Sequence, residues 1–162
     1  MKRLFLFFLI VVPLCISCGK SQQSGNESSN DSVAKQREAL AEFRQMVKER
    51  DKLQKLAPCV FYRVLREGEG AIPTDSSMVT IHYEGRLKNG QIFDSSYDRN
   101  EPWTVRTKET IEGWRDVLTH MPCGSKWFVL IYYDKAYGDQ SVAGIPAFSN
   151  LYFTMELLEV GE

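Results

Sequence analysis

The chain is poor in the side chains that most enzymes use to make and break bonds. It has two histidines, His82 and His120, and four cysteines, Cys15, Cys18, Cys59 and Cys123. No combination of them has the spacing of a zinc site. His82 has no Ser or Cys at a spacing that would suggest nucleophilic catalysis, and it reads as a surface or packed residue. An excess of one charge is also missing: 20 Lys+Arg stand against 21 Asp+Glu, a net charge of −1. That leaves no basic surface for a phosphate backbone and argues against nucleic acid as a partner. The apolar run from Leu4 to Val12 is too short to cross a bilayer of about 30 Å unaided. At 162 residues and 18.6 kDa, there is room for one ordinary domain with attachments.

The attachments come first. Lys2 and Arg3, the apolar run and the small residues before Cys18 have the order of a secretory signal over residues 1–17. A buried N-terminal strand is the competing reading, but a polar tract follows at once. Leu14-Cys15-Ile16-Ser17-Cys18-Gly19 resembles the lipobox of bacterial lipoproteins, with Cys15 where Leu is commoner. Cleavage before Cys18 would make it the lipidation site and the membrane anchor, each buried methylene contributing about 0.8 kcal/mol. Ordinary cleavage, leaving Cys18 as a thiol, is the alternative. Residues 18–31, rich in Ser, Gln, Asn and Gly, read as a flexible tether. Residues 32–57 contain neither Gly nor Pro and are rich in helix formers, which predicts a helical extension up to Pro58. Leu40, Phe43, Met46 and Val47 share one side of it. The helix is either a spacer resting on the domain or a surface for dimerisation or client holding, its spacing being too irregular for a heptad seam.

After Pro58 the period changes. Val60, Tyr62 and Val64 alternate, and Arg66 breaks the pattern; Val79 to Glu84 alternates again, and Lys88-Asn89-Gly90 is a hairpin signal leading to Ile92-Phe93. Thr110 to Met121 predicts one helix, with Ile111, Trp114 and Leu118 on one face. Lys126 to Tyr132 and Leu151 to Val160 read as strands. The expected fold class is α+β: an antiparallel sheet whose second layer is one short central helix. Cys59 and Cys123 would be allowed to pair in an exported compartment, and sequence separation does not decide whether they do.

The order of motifs is diagnostic. Val79-Thr80-Ile81-His82-Tyr83-Glu84-Gly85, Gly90-Gln91-Ile92-Phe93-Asp94-Ser95-Ser96, Ile111-Glu112-Gly113-Trp114, Met121-Pro122-Cys123-Gly124, Ala136-Tyr137-Gly138 and Gly144-Ile145-Pro146 together resemble the FK506-binding family of peptidyl-prolyl isomerases. The resemblance runs from about Cys59 to the C-terminus, making 59–162 the expected isomerase domain. It implies a twisted sheet wrapped around the helix that bears Trp114, with a prolyl ring received between them. Trp114 would be the floor, with Tyr83, Phe93, Trp103, Ile111, Tyr137, Ile145 and Phe153 as walls and Asp94 and Arg99 at the polar side. Thr110 and Trp103 replace the Val-type and Phe-type wall residues of many relatives. The segments 103–111 and 138–144 are shorter than in compact members, and Ala147 stands where a second Pro is usual. Those departures weaken the implied affinity for FK506- or rapamycin-like macrolides more than they weaken the implied activity.

The chemistry that the resemblance implies needs no cofactor, metal or nucleophile. In this reading Tyr137 donates to the client carbonyl, the Ile145 N–H anchors an extended client strand, and Asp94 paired with Arg99 forms the polar edge. Phe93, Tyr83 and Phe153 complete the catalytic wall; Trp114, Ile111, Thr110, Trp103, Arg99 and Ile145 hold substrate. The expected clients are proline-containing exported polypeptides in a bacterial cell envelope. A non-catalytic chaperone or proline-segment binding module is the competing expectation, and a purely structural lipoprotein is the third.

Overall fold

A computed structural model describes residues 26–162; the signal at 1–17 and the lipidation site Cys18 lie outside the described residues. Two units divide the chain at Arg37 and Glu38. Of the first, residues 26–37 are helical. The second holds the end of that helix and the whole sheet.

The helix, α1, runs Asn26–Lys48, so its bounds differ from the expected 32–57 at both ends. Its start lies within the expected tether: once a helix is nucleated, each further residue costs little, and neither Gly nor Pro follows Asn26 until Pro58. Its end is earlier because Arg50–Lys52 forms a 3₁₀ turn and Gln54–Ala57 becomes a strand, β1. β1 turns through Pro58 and Cys59, the latter at φ 64°, and pairs with β2, Val60–Arg66. Cross-strand pairing overrides the helix preference of Gln54 to Ala57. The break in alternation at Arg66 is an irregularity in the β2 register between Val64 and Arg66.

The remaining strands are β3 (Met78–Arg86), β4 (Ile92–Ser95), β5 (Trp103–Arg106), β6 (Lys126–Ile131) and β7 (Leu151–Gly161). All pairings are antiparallel, in the order β1-β2-β6-β7-β3-β4, with β5 also on β3. The Asn-Gly turn closes as expected, Gly90 N–H donating to Leu87 O at 2.8 Å with Gly90 at φ 90°. The central helix, α2, is shorter than the predicted span and covers Glu112–Leu118. Thr107–Glu109 is a 3₁₀ turn, and Thr110 and Ile111 are extended, the Thr110 hydroxyl donating to Thr107 O at 2.8 Å. The fold is the expected α+β arrangement.

Alternation sorts the sheet's two faces. Val129 and Ile131 of β6 and Leu151, Phe153, Met155 and Leu157 of β7 join Val117, Leu118 and Trp114 of α2 in the main core. Phe128, Leu130 and Tyr152 point the other way and are covered by Phe43, with Leu40, Met46 and Val47 packed around them. The apolar side of residues 40–47 therefore rests on the chain's own sheet. Gly113 lets α2 approach that sheet closely: a Cβ there would lie 2.5 Å from Ile131 Cγ2. Cys59 and Cys123 are both free thiols. Among the described residues no helix is long and apolar enough to cross a membrane.

Candidate active site

The site arises where one edge of β3 changes partner. β5 pairs with Met78–Ile81 and β4 with Glu84–Arg86, leaving a gap around Tyr83. Ser96, fully buried just beyond β4, fills the gap: its Oγ accepts from Tyr83 N–H at 2.8 Å and its own N–H donates to Tyr83 O at 2.9 Å. The chain then loops out through Tyr97 to Glu101 and returns as β5. The gap directs the Tyr83 ring towards α2, while His82, on the other face, bonds Ser96 Oγ at 2.9 Å and stacks on Tyr97 at 4.6 Å.

Between α2 and the sheet edge lies a recess of about 370 Å³, lined by Tyr83, Phe93, Asp94, Trp103, Glu109, Thr110, Ile111, Trp114, Tyr137 and Phe153. Trp114, 3% exposed, is met at steep angles by Tyr83 at 5.0 Å, Phe153 at 5.2 Å and Trp103 at 5.8 Å. Phe93 meets Phe153 edge-on at 5.7 Å. Edge-to-face packing of this kind holds ring orientation as well as burying area. Gly85, behind the wall, leaves space for the Phe93 ring, since a Cβ there would lie 2.5 Å from its tip.

The polar edge is a closed unit. The Tyr83 hydroxyl donates to Asp94 Oδ2 at 2.5 Å and accepts from Arg99 Nη2 at 3.0 Å, while Arg99 Nη1 pairs with Asp94 Oδ1. Burial first, and then the hydrogen bond to Asp94, push the Tyr83 hydroxyl up to about 12. Burial works to raise the Asp94 pKa, but the bonds from Tyr83 and Arg99 outweigh it and hold the carboxyl below its usual range. Burial, then the charge of Asp94, raises the Tyr137 hydroxyl pKa without a hydrogen-bond contribution, so Tyr137 is a neutral donor at ordinary pH. Among the described residues no three His, Cys, Asp or Glu side chains gather as a metal site.

The recess brings together nine of the expected residues and leaves two outside its lining. Arg99 is held behind Asp94 rather than on the wall. Ile145 is 4% exposed in the core, and its N–H is already given to Val142 O at 2.8 Å in a tight turn. The expectation that this N–H anchors a client strand is therefore corrected: the donor is used within the chain. Glu109 was missed. The 3₁₀ turn at 107–109, where the sequence suggests loop leading into helix, carries it to the rim.

The sequence profile described as FKBP-type peptidyl-prolyl cis-trans isomerase matches residues 70–158, more than half the chain. The chain belongs to this family. Over 100 residues it is 47% identical to the FKBP-type 22 kDa peptidyl-prolyl cis-trans isomerase of Escherichia coli, an alignment covering 61% of this chain and 48% of that protein. It is 33% identical over 159 residues to the macrophage infectivity potentiator of Trypanosoma cruzi, covering 94% of this chain and 81% of that one. The crystal structure of FkpA from Escherichia coli superposes with a TM-score of 0.67 at 33% identity, covering 83% of this FKBP-type chain and 63% of FkpA. The chain spans less than half the length of the first bacterial relatives it matches.

Proposed function

We propose that this chain is a peptidyl-prolyl cis-trans isomerase that speeds rotation about X-Pro bonds by holding the twisted amide in the aromatic recess. The observation that carries the proposal is the recess itself, a set of convergent rings beside the neutral donor Tyr137. The two X-Pro isomers differ by about 0.5–1 kcal/mol, while the barrier between them is about 20 kcal/mol. Twisting the amide removes resonance, so charge leaves the carbonyl oxygen and the group loses less on leaving water. A dry wall of Trp114, Phe93, Ile111, Phe153 and Tyr83 then favours the twisted form over either planar form. Tyr137 holds the carbonyl oxygen, Trp103 and Thr110 bound the prolyl ring, and the Tyr83–Asp94–Arg99 unit keeps the polar edge rigid. Protease-coupled isomerisation of an X-Pro peptide tests this: the purified protein accelerates it at micromolar concentration. An unchanged rate rejects the proposal.

The clients in this reading are proline-containing polypeptides outside the cytoplasm. Support for that location comes from the signal-like residues 1–17 and the lipobox-like run ending at Cys18, which would anchor the domain to an envelope membrane through the 18–31 segment. Mass analysis of the mature N-terminus tests it. Pairing of two chains through residues 32–57 would use the surface left after Leu40, Phe43, Met46 and Val47 have packed on the sheet, and sedimentation tests it. A macrolide of the FK506 or rapamycin type would compete for the same recess, read as inhibition. Chaperone activity without turnover is favoured by exposed apolar side chains such as Ile72 and Phe148. Suppression of client aggregation by a variant that does not isomerise would select it.

A further inference from the structure

Phe148 has a backbone and an exposure that its role in the fold does not explain. It is at φ 58°, in the left-handed region where a bulky side chain is an outlier, and at 63% it is the most exposed large apolar side chain among the described residues. The turn uses only its backbone, Phe148 N–H donating to Gly138 O at 2.8 Å. An Asn or Gly would make the same bond without the strain. One edge of the ring meets Tyr133 at 5.5 Å, and the rest is open beside a groove of about 350 Å³ that it shares with Leu87, Lys88 and Asn89. Strain retained at an exposed aromatic marks a position held for contact with something outside the fold.

We infer that Phe148 is a specificity residue, which grips a large apolar side chain of the same polypeptide whose proline occupies the recess. The inference rests on the isomerase reading and extends the bound segment of client beyond the prolyl ring. Its ground is continuity: Tyr137 lines the recess, Gly138 follows it, and Gly138 O holds Phe148. One Cα step of about 3.8 Å and a single backbone hydrogen bond, from Phe148 N–H to Gly138 O at 2.8 Å, link Tyr137 to Phe148, so the two lie at most on the order of 10 Å apart. At about 3.3 Å per extended residue, the gripped side chain lies two to four residues from the proline. A Leu, Met or Phe there meets the Phe148 ring and the groove beside it.

The test uses the full chain, a short X-Pro tetrapeptide, and ten-residue peptides with the same X-Pro bond. In the longer peptides a single Leu replaces Ser at each position two to four residues from the proline on either side. Wild-type protein shows at least about a fivefold higher kcat/KM for one Leu position, a step of the size expected for one buried apolar side chain. Phe148→Asn abolishes that preference, keeps wild-type turnover of the tetrapeptide, and melts about 3 °C higher because the strain is relieved. No preference in the wild type, a preference kept by the variant, or an equal loss on the tetrapeptide overturns the inference. So does a variant that melts lower, which would give Phe148 to the fold. Failure of the isomerase reading appears separately, as a wild-type protein inert on the tetrapeptide. Calorimetric titration of the Leu and Ser peptides then reads the contact without turnover: an affinity difference abolished by Phe148→Asn upholds it, and equal affinities overturn it.

Discussion

Gly85→Ala tests whether the shape of the recess, rather than any one of its side chains, sets the rate. Gly85 lies in β3 with ordinary extended backbone, so alanine carries no conformational penalty there. The new methyl would lie 2.5 Å from Phe93 Cζ and 3.0 Å from Phe153 Cε1. Carbon atoms pack comfortably at about 3.5–4.0 Å, so the Phe93 ring must move by about 1 Å. The strand is held on both sides by its pairing with Asp94 and Phe153, so the motion falls on the ring, whose free side is the recess. Overpacking costs about 1–3 kcal/mol, and a ring that can yield into open space puts this case near 1. Displacing a wall by that distance lowers kcat/KM about 10- to 100-fold, or about 1.4–2.7 kcal/mol of transition-state stabilisation. Protease-coupled kinetics and urea unfolding measure the two costs. Phe93→Leu removes the ring tip that clashes, so the double variant should turn over no more slowly than Phe93→Leu alone. Wild-type kcat/KM in folded Gly85→Ala, or costs that simply add, would falsify the steric argument.

Tyr137→Phe removes one hydrogen bond of about 1 kcal/mol and lowers kcat/KM about fivefold, with an unchanged melting temperature. Phe43→Ala, at a side chain 4% exposed, costs about 3 kcal/mol of stability by unfolding curves, while turnover of a short peptide is retained because the ring lies on the opposite face of the sheet from the recess. Asp94 has a depressed folded pKa, so the stability it contributes is full above the unfolded carboxylate value of about 3.9 and is lost as pH falls through the folded value. Asp94→Asn should flatten that acid limb in pH-dependent unfolding. Tyr83, raised to about 12, keeps its contribution below about pH 10 and loses it between there and 12, and Tyr83→Phe should remove that alkaline loss.

The strands with a long buried face were legible because their alternation survives in the sequence. Val79, Ile81 and Tyr83 of β3, and Leu151, Phe153, Met155 and Leu157 of β7, are all buried on one side. β5 was not read as a strand: it has four residues, of which only Val105 is buried, so no period can show. β1 was misread as helix because Gln54 to Leu56 favour helix locally and acquire strand geometry only from β2. Trp114, Phe153 and Tyr83 emerged as pocket residues through the order of motifs, since periodicity alone would leave them as core. The engaged N–H of Ile145 was only half signalled: it depends on a turn at Val142 to Ile145 with Ala143 at φ 46° and Gly144 at φ 83°. Gly144 marks a turn, but Ala143 stands where Asn or Asp would announce the two-residue form that uses this N–H.

The closed polar unit bears on what kind of catalyst this recess would be. Each Asp94 oxygen is engaged, one by the Tyr83 hydroxyl and one by Arg99, and the Tyr83 proton is held more tightly than in water. A carboxylate so satisfied is a poor base, and a phenol so raised is a poor acid. The unit instead fixes the Tyr83 ring against Trp114 and ties up the charge of Asp94; apart from Glu109 and Thr110, the rest of the lining is aromatic or aliphatic. That division suits a reaction in which no proton moves and the twisted amide gains from losing water. It follows that Asp94→Asn, which keeps the shape while removing the charge, should slow turnover far less than Phe153→Ala, which opens the wall. The reverse order in kcat/KM would make proton transfer or direct charge stabilisation, rather than desolvation, the source of the rate.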